Sequence, residues 1–238
     1  MRCAHRGASR SLPRPPVPEC SGCFARGFRA AAGGFPPGGR SSMSQGRVLQ
    51  FLKEGTAMRH EAVERMVDLP NQLRDADTYA DLLARFYGFY LPAEAALANV
   101  SGYDAVGIDF EARRKSHLLR QDLAAVGRDP EAVPLSSDLP AVRSLGQALG
   151  WLYVFEGATL GGRVVSRMAR ERLGVTPESG GSFFASYGDR VGEMWAAFRA
   201  ALVRHATTPR AEEEVVSAAG DAFDHFGLWL APAAGVKP

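Results

Sequence analysis

Apolar and small side chains recur along most of the chain at helical spacing. Between Arg47 and Asp68, the residues Leu49, Leu52, Thr56, His60, Val63 and Val67 follow one another at steps of three or four and form one stripe of an α-helix. Thr78 and Asp81 predict a capping-box-like start, with Asp in place of the usual Glu, for a helix over Tyr79 to Tyr90; Pro92 then bends or restarts it through Ala98. Further helices are expected over Phe110 to Val126, Leu139 to Leu149, Trp151 to Leu173, Gly188 to His205 and Ala211 to Leu230. Thr208 and Pro209 supply an N-cap and first-turn pair for the last of these. No segment alternates β-branched with polar residues over a strand's length, and neither repeats nor turn dipeptides suggest a sheet. The expected fold is all-α, a single compact multi-helix domain over residues 43–238 with short connections.

Upstream of this pattern the chain changes character. Residues 1–42 hold six Pro and seven Gly with almost no periodicity, too little apolar surface to offset the entropy of ordering, so a disordered N-terminal extension is expected there. No apolar run follows its arginines, which argues against a secretory signal. An Arg-rich presequence, and a stretch upstream of a working start at Met43, both stay open as readings.

The formal charge of +2 belongs to that extension rather than to the body. Of 28 basic and 26 acidic side chains, seven Arg and Glu19 lie in residues 1–42, which leaves 21 basic against 25 acidic from Met43 onward. A net negative body offers no electrostatic footprint for nucleic acid or anionic lipid. No run of eighteen apolar residues exists to span a membrane. All three cysteines, Cys3, Cys20 and Cys23, also fall in the extension, so the body holds no disulfide and no thiolate metal site, and a reducing, cytoplasmic location fits. The pair Cys20-x-x-Cys23 lacks the second pair or the βαβ setting that zinc or redox motifs require.

Two features of the body carry candidate chemistry. His60 lies within an apolar stripe, where an imidazole needs a hydrogen bond or a metal to offset its burial. It is either a core histidine bonded to a carbonyl or a ligand, with Glu64 one turn later able to hold its second nitrogen. The run Tyr153-Val154-Phe155-Glu156-Gly157-Ala158-Thr159-Leu160-Gly161-Gly162-Arg163 places three glycines inside an otherwise helical pattern, each costing about 1 kcal/mol relative to alanine. Glycines so spaced bare a strip of helix backbone, either for a tight helix crossing or for a planar ligand. His60-Glu61-Ala62-Val63-Glu64 lacks the second histidine of a zincin helix, no histidine has an acid three residues before it, and no phosphate-cradling loop or nucleophile elbow occurs. The aromatic face of Phe86, Tyr87, Phe89 and Tyr90 reads as core.

Together, the histidine near the start of the first helix and the glycine-broken helix about a hundred residues later resemble the haem oxygenases. Leu52 to Glu64 looks like the family's proximal helix, and Tyr153 to Arg163 looks like its distal helix in the bacterial, phytochrome-associated branch. The likeness runs from about Val48 to Trp229. It implies His60 as the axial ligand of haem iron with Glu64 as its partner, and Gly157, Gly161 and Gly162 as glycines lying against the ring. It implies Lys53, Arg199 and Tyr187 as contacts of the haem propionates. Where the animal-type branch has an aspartate after the first distal glycine, this chain has Ala158. The implied activity is cleavage of haem, at once substrate and cofactor, to biliverdin, carbon monoxide and ferrous iron. Dioxygen is consumed, electrons come from a reductase or ferredoxin, and a phytochrome is the implied acceptor of biliverdin. A haem carrier or sensor without turnover, and a helical interaction protein with a glycine-mediated crossing, are the competing classes.

Overall fold

In the computed structural model, which describes residues 46–231, six helices of ten or more residues and two single-turn helices pack together, with no strand among the described residues. In chain order they are α1 (Arg47–Val67), α2 (Leu69–Gln72), α3 (Ala76–Ala98), α4 (Ser116–Ala125), α5 (Leu145–Leu173), α6 (Ser182–Ala185), α7 (Val191–His205) and α8 (Pro209–Leu230). The all-α expectation holds. The extension expected over residues 1–42, with Cys20 and Cys23, lies outside the described residues.

Helix α1 buries Leu52, Thr56, Val63 and Val67 of the expected stripe, with Val48 buried in place of Leu49 and His60 partly buried, and stops at Asp68, which turns into the left-handed region at φ 43°. The start of α3 differs from expectation. Its N-cap is Asp75, whose carboxylate accepts from the Thr78 backbone amide while the Thr78 hydroxyl receives the Asp75 amide, so Thr78 is the third helical residue of a capping box and not its first. Asp81 reaches outward to Arg128 at 2.8 Å. Pro92 does not interrupt α3. Proline removes the amide that would bond the carbonyl four residues back, and that carbonyl, of Gly88, instead accepts from Ser136 in a neighbouring loop at 2.9 Å.

The two helices expected over Leu139–Leu149 and Trp151–Leu173 are one helix, α5, of 29 residues. It begins only at Leu145, behind an N-cap in which Ser144 accepts from the Gln147 amide, and ends at Gly174 in the left-handed region. Gly150 does not break it. A Cβ there would lie 2.5 Å from the Val215 carbonyl oxygen and 2.7 Å from the Ala218 Cβ, so its missing side chain lets α8 lie directly on α5. The first residues of two other expected helices form 3-10 turns, with α4 starting at Ser116 and α7 at Val191. The Thr208 and Pro209 start of α8 matches expectation, with Thr208 accepting from the Ala211 amide.

Helix α8 runs along both α5 and α1 and holds them as neighbouring walls. Between them an aromatic cluster from four helices, including Phe86, Tyr90, Phe155, Phe183 and Phe226, fills the interior; Tyr90 stacks on Phe155 at 4.3 Å between ring centroids.

Candidate functional site

A cavity of about 580 Å³ opens between α1 and α5, within the size range of sites that enclose a small organic ligand. His60, Val63, Glu64 and Val67 of α1 form one wall, and Tyr153, Val154, Gly157, Ala158 and Gly162 of α5 another. Phe86, Tyr90, Phe183, Phe184, Phe223 and Phe226 close the apolar end. The histidine and the first of the glycines, far apart in sequence, therefore face the same space.

His60 is held in its wall by packing. Its ring meets Phe223 edge to face at 5.8 Å, and the side chain keeps only 17% of its surface exposed. Burial lowers its pKa from the ordinary histidine value, against a weaker opposing pull from Glu61, so the imidazole is neutral at neutral pH. Nδ1 lies 3.7 Å from a Glu64 carboxylate oxygen, longer than a direct hydrogen bond and close enough to bias which nitrogen carries the proton. One turn earlier, Thr56 donates to the Leu52 carbonyl at 2.6 Å, and its hydroxyl acts on the Tyr153 phenol of α5 beside the histidine. Burial pushes that tyrosine up to about 12, so it stays a neutral phenol.

The glycines divide. Gly157 and Gly162 contribute to the cavity wall, whereas Gly161 is buried in the same helix without lining it. A Cβ on Gly162 would collide with the carbonyl of Phe184, so this glycine also serves the close crossing of α5 with α6. Helix α6 is fixed from its other side by Asp122, whose carboxylate accepts the Ser182 amide, the Ser182 hydroxyl and the Phe183 amide at 2.7–2.8 Å. Three expected contact residues stand back from the cavity. Lys53 is exposed two turns before His60 on the same face of α1, and Arg199 is half-buried on α7, where its charge is felt by Tyr153. Tyr187 donates to Glu156 at 2.7 Å and accepts from Lys115 at 2.7 Å.

That last pair belongs to a cluster the sequence did not reveal. Glu156, immediately before Gly157, is wholly buried and takes Arg113 at 2.6 Å and Lys115 at 3.3 Å on its two oxygens. Lys115 itself is 2% exposed and lines the cavity. Glu156 carried a readable signal, an acid inside the apolar run from Trp151 to Gly157, because a carboxylate in such a setting requires a partner. Its partners sit in a run of three bases with no helical periodicity, which gave none. Among the described residues no group of three His, Cys, Asp or Glu side chains comes together to hold a metal ion.

Comparison with known proteins agrees with this geometry. A family model described as Heme oxygenase matches residues 47–231. A heme oxygenase of Xanthomonas campestris pv. campestris is 34% identical over 66% of this chain and 91% of its own length. The heme oxygenase PigA of Pseudomonas aeruginosa is 27% identical over 71% of this chain and 83% of its own length. In three dimensions the chain is similar to the NO- and CO-bound heme oxygenase of Neisseria meningitidis, with a TM-score of 0.69 at 25% identity, over 80% of this chain and 98% of that one.

Proposed function

The chain belongs to the haem oxygenase family, and on that premise we propose that His60 binds the iron of a haem seated in the cavity between α1 and α5. The family's reaction opens haem to biliverdin, carbon monoxide and ferrous iron with dioxygen and electrons from a reducing partner. The observation that carries the assignment is that His60 and Gly157 line one cavity, its walls otherwise largely apolar and aromatic, of a size to enclose a flat ring.

Each side chain has a role that follows from its surroundings. A neutral imidazole is the form that donates a lone pair to iron, and burial keeps His60 neutral. Glu64 biases the ring's second nitrogen toward carrying the proton. The phenylalanines exclude water from the apolar end. Gly157 and Gly162 keep α5 bare toward the ring, while Gly161 stands behind them in the helix. Lys53 and Arg199 would meet the haem carboxylates at the exposed rim, whereas Tyr187 would have to leave Lys115 or Glu156 to do so.

The EGATLGG form of the glycine helix, with Ala158 in place of an acid, supports the phytochrome-associated branch and hence a phytochrome as acceptor of the product. A separate reductase or ferredoxin would supply the electrons. No helix among the described residues is long and apolar enough to cross a membrane. The lack of cysteine after Cys23 supports a reducing, cytoplasmic setting.

Haem titration followed by absorbance, with wild type and His60→Ala in parallel, tests the ligand assignment. The variant is expected to hold haem weakly, and added imidazole to restore much of the spectrum; equal spectra and affinities would refute His60. Turnover is tested by giving the aerobic complex a reductant and separating the product by chromatography. Biliverdin with free iron is expected, and a haem complex that survives unchanged would leave the carrier reading in its place.

A further inference from the structure

Behind Gly157 lies a buried imbalance of charge. Among the described residues, the ion pairs of Arg113, Arg114 and Lys115 run to Glu156, to Glu94 and, from Arg114 at 3.1 Å, to Glu111, which is 71% exposed. Glu94 is fully committed to its own surroundings. It accepts the Lys115 and Ser116 amides and the Ser116 hydroxyl, and meets Arg114 at 3.6 Å. This leaves Glu156 alone between the Arg113 guanidinium and the Lys115 ammonium, all three nearly without solvent.

Lys115 is the member of this group that reaches the cavity wall. Its ammonium has three N–H donors, and three acceptors surround it: the Arg113 carbonyl at 2.8 Å, the Tyr187 hydroxyl at 2.7 Å and Glu156 at 3.3 Å. Its protons are therefore committed to the wall, and the Tyr187 ring covers it at 4.1 Å. What Lys115 offers the cavity is a fixed charge in a region of low dielectric, where a charge acts far more strongly than in water. Its pKa lies below the ordinary lysine value, lowered first by burial and further by Arg113, with Glu156 and Glu94 opposing.

We propose that the buried Lys115 and Arg113 pair, under-neutralised by Glu156, makes the α5 side of the cavity prefer small anionic ligands over neutral ones. This rests on the haem reading above and adds to it a residue that positions charge without touching iron.

The test compares azide with neutral imidazole as ligands of the ferric haem complex, by spectral titration at fixed ionic strength. Failure of wild type to bind haem would refute the haem reading itself, separately from the charge. Lys115→Met is expected to weaken azide about tenfold, the equivalent of roughly 1.4 kcal/mol, with imidazole little changed. Glu156→Gln, which removes the counter-charge, is expected to move the azide-to-imidazole ratio the opposite way when measured at a pH low enough to keep Lys115 protonated. A packing defect would move both ratios in one direction, so same-sign shifts, or no shift, overturn the proposal. Should neither buried variant hold haem, Tyr187→Phe decides: it removes one acceptor and leaves an N–H of the ammonium uncommitted, and the ratio should rise by about twofold, equivalent to roughly 0.4 kcal/mol. An unchanged ratio there would overturn the proposal.

Discussion

The α1 and α5 walls of the cavity are made in different ways. Helix α1 has one buried face and an open one, with Lys53 exposed and Met58 84% exposed, and its N-cap makes no side-chain hydrogen bond. Helix α5 is buried almost without a gap from Ala148 to Gly157, is sealed at its N-terminus by Ser144, and is fixed by ion pairs and glycine contacts. The imidazole thus sits on the wall with more freedom, and the glycines sit on the wall with least. A planar ligand inserted between them would meet one surface able to give and one that sets the geometry.

The contrast is broken most severely at Glu156. Glu156→Leu should cost about 3–5 kcal/mol of folding stability, because it leaves two buried cations with no carboxylate between them. Chemical denaturation of the apoprotein measures this, and a loss under about 1 kcal/mol would mean the α5 wall does not depend on its ion pairs.

Gly162→Ala comes next. Overpacking against the Phe184 carbonyl should cost about 1–3 kcal/mol, more than the roughly 1 kcal/mol that alanine's better helix propensity returns. The variant should melt lower than wild type and bind haem more weakly through displaced Phe183 and Phe184. A higher melting temperature would show that α6 gives way freely.

On the other wall, His60→Ala should cost the apoprotein about 1 kcal/mol, far less than the Glu156 change and in spite of its large effect on haem affinity, since the side chain keeps 17% of its surface exposed and leaves no buried ion behind. A large loss of stability would make His60 a structural residue first.

The smallest effect is on pH dependence. Burial lowers the His60 pKa below its unfolded value near 6.5, so the unfolded chain binds more protons just below that pH. Stability is then full above about pH 6.5 and falls as the pH drops towards the depressed folded value. His205 has a pKa lowered in the same direction and adds to the slope. Apoprotein denaturation across pH 5 to 7.5 should show a shallower decline for His60→Ala than for wild type; equal slopes would assign the whole decline to other groups.

What could be read from the sequence was whatever repeats at short range. The stripe of α1 and the all-helical class follow from spacings of three and four residues and the Thr208 start of α8 from its capping side chain, whereas the pairing of His60 with the glycine run came from the resemblance to the haem oxygenases. Helix α5 could not be read as one element because Gly150 carries a local penalty that only contact with α8 offsets. Pro92 inside α3 is tolerated because a distant amide, of Ser136, takes the carbonyl it frees. The Lys115, Glu156 and Tyr187 cluster joins residues from three separated stretches, and no local pattern announces a charge whose partner is brought to it by folding. Local hydrogen bonding and apolar period are written along the chain, whereas burial, and with it the sign and strength of a charge at the cavity wall, exists only once the helices have packed.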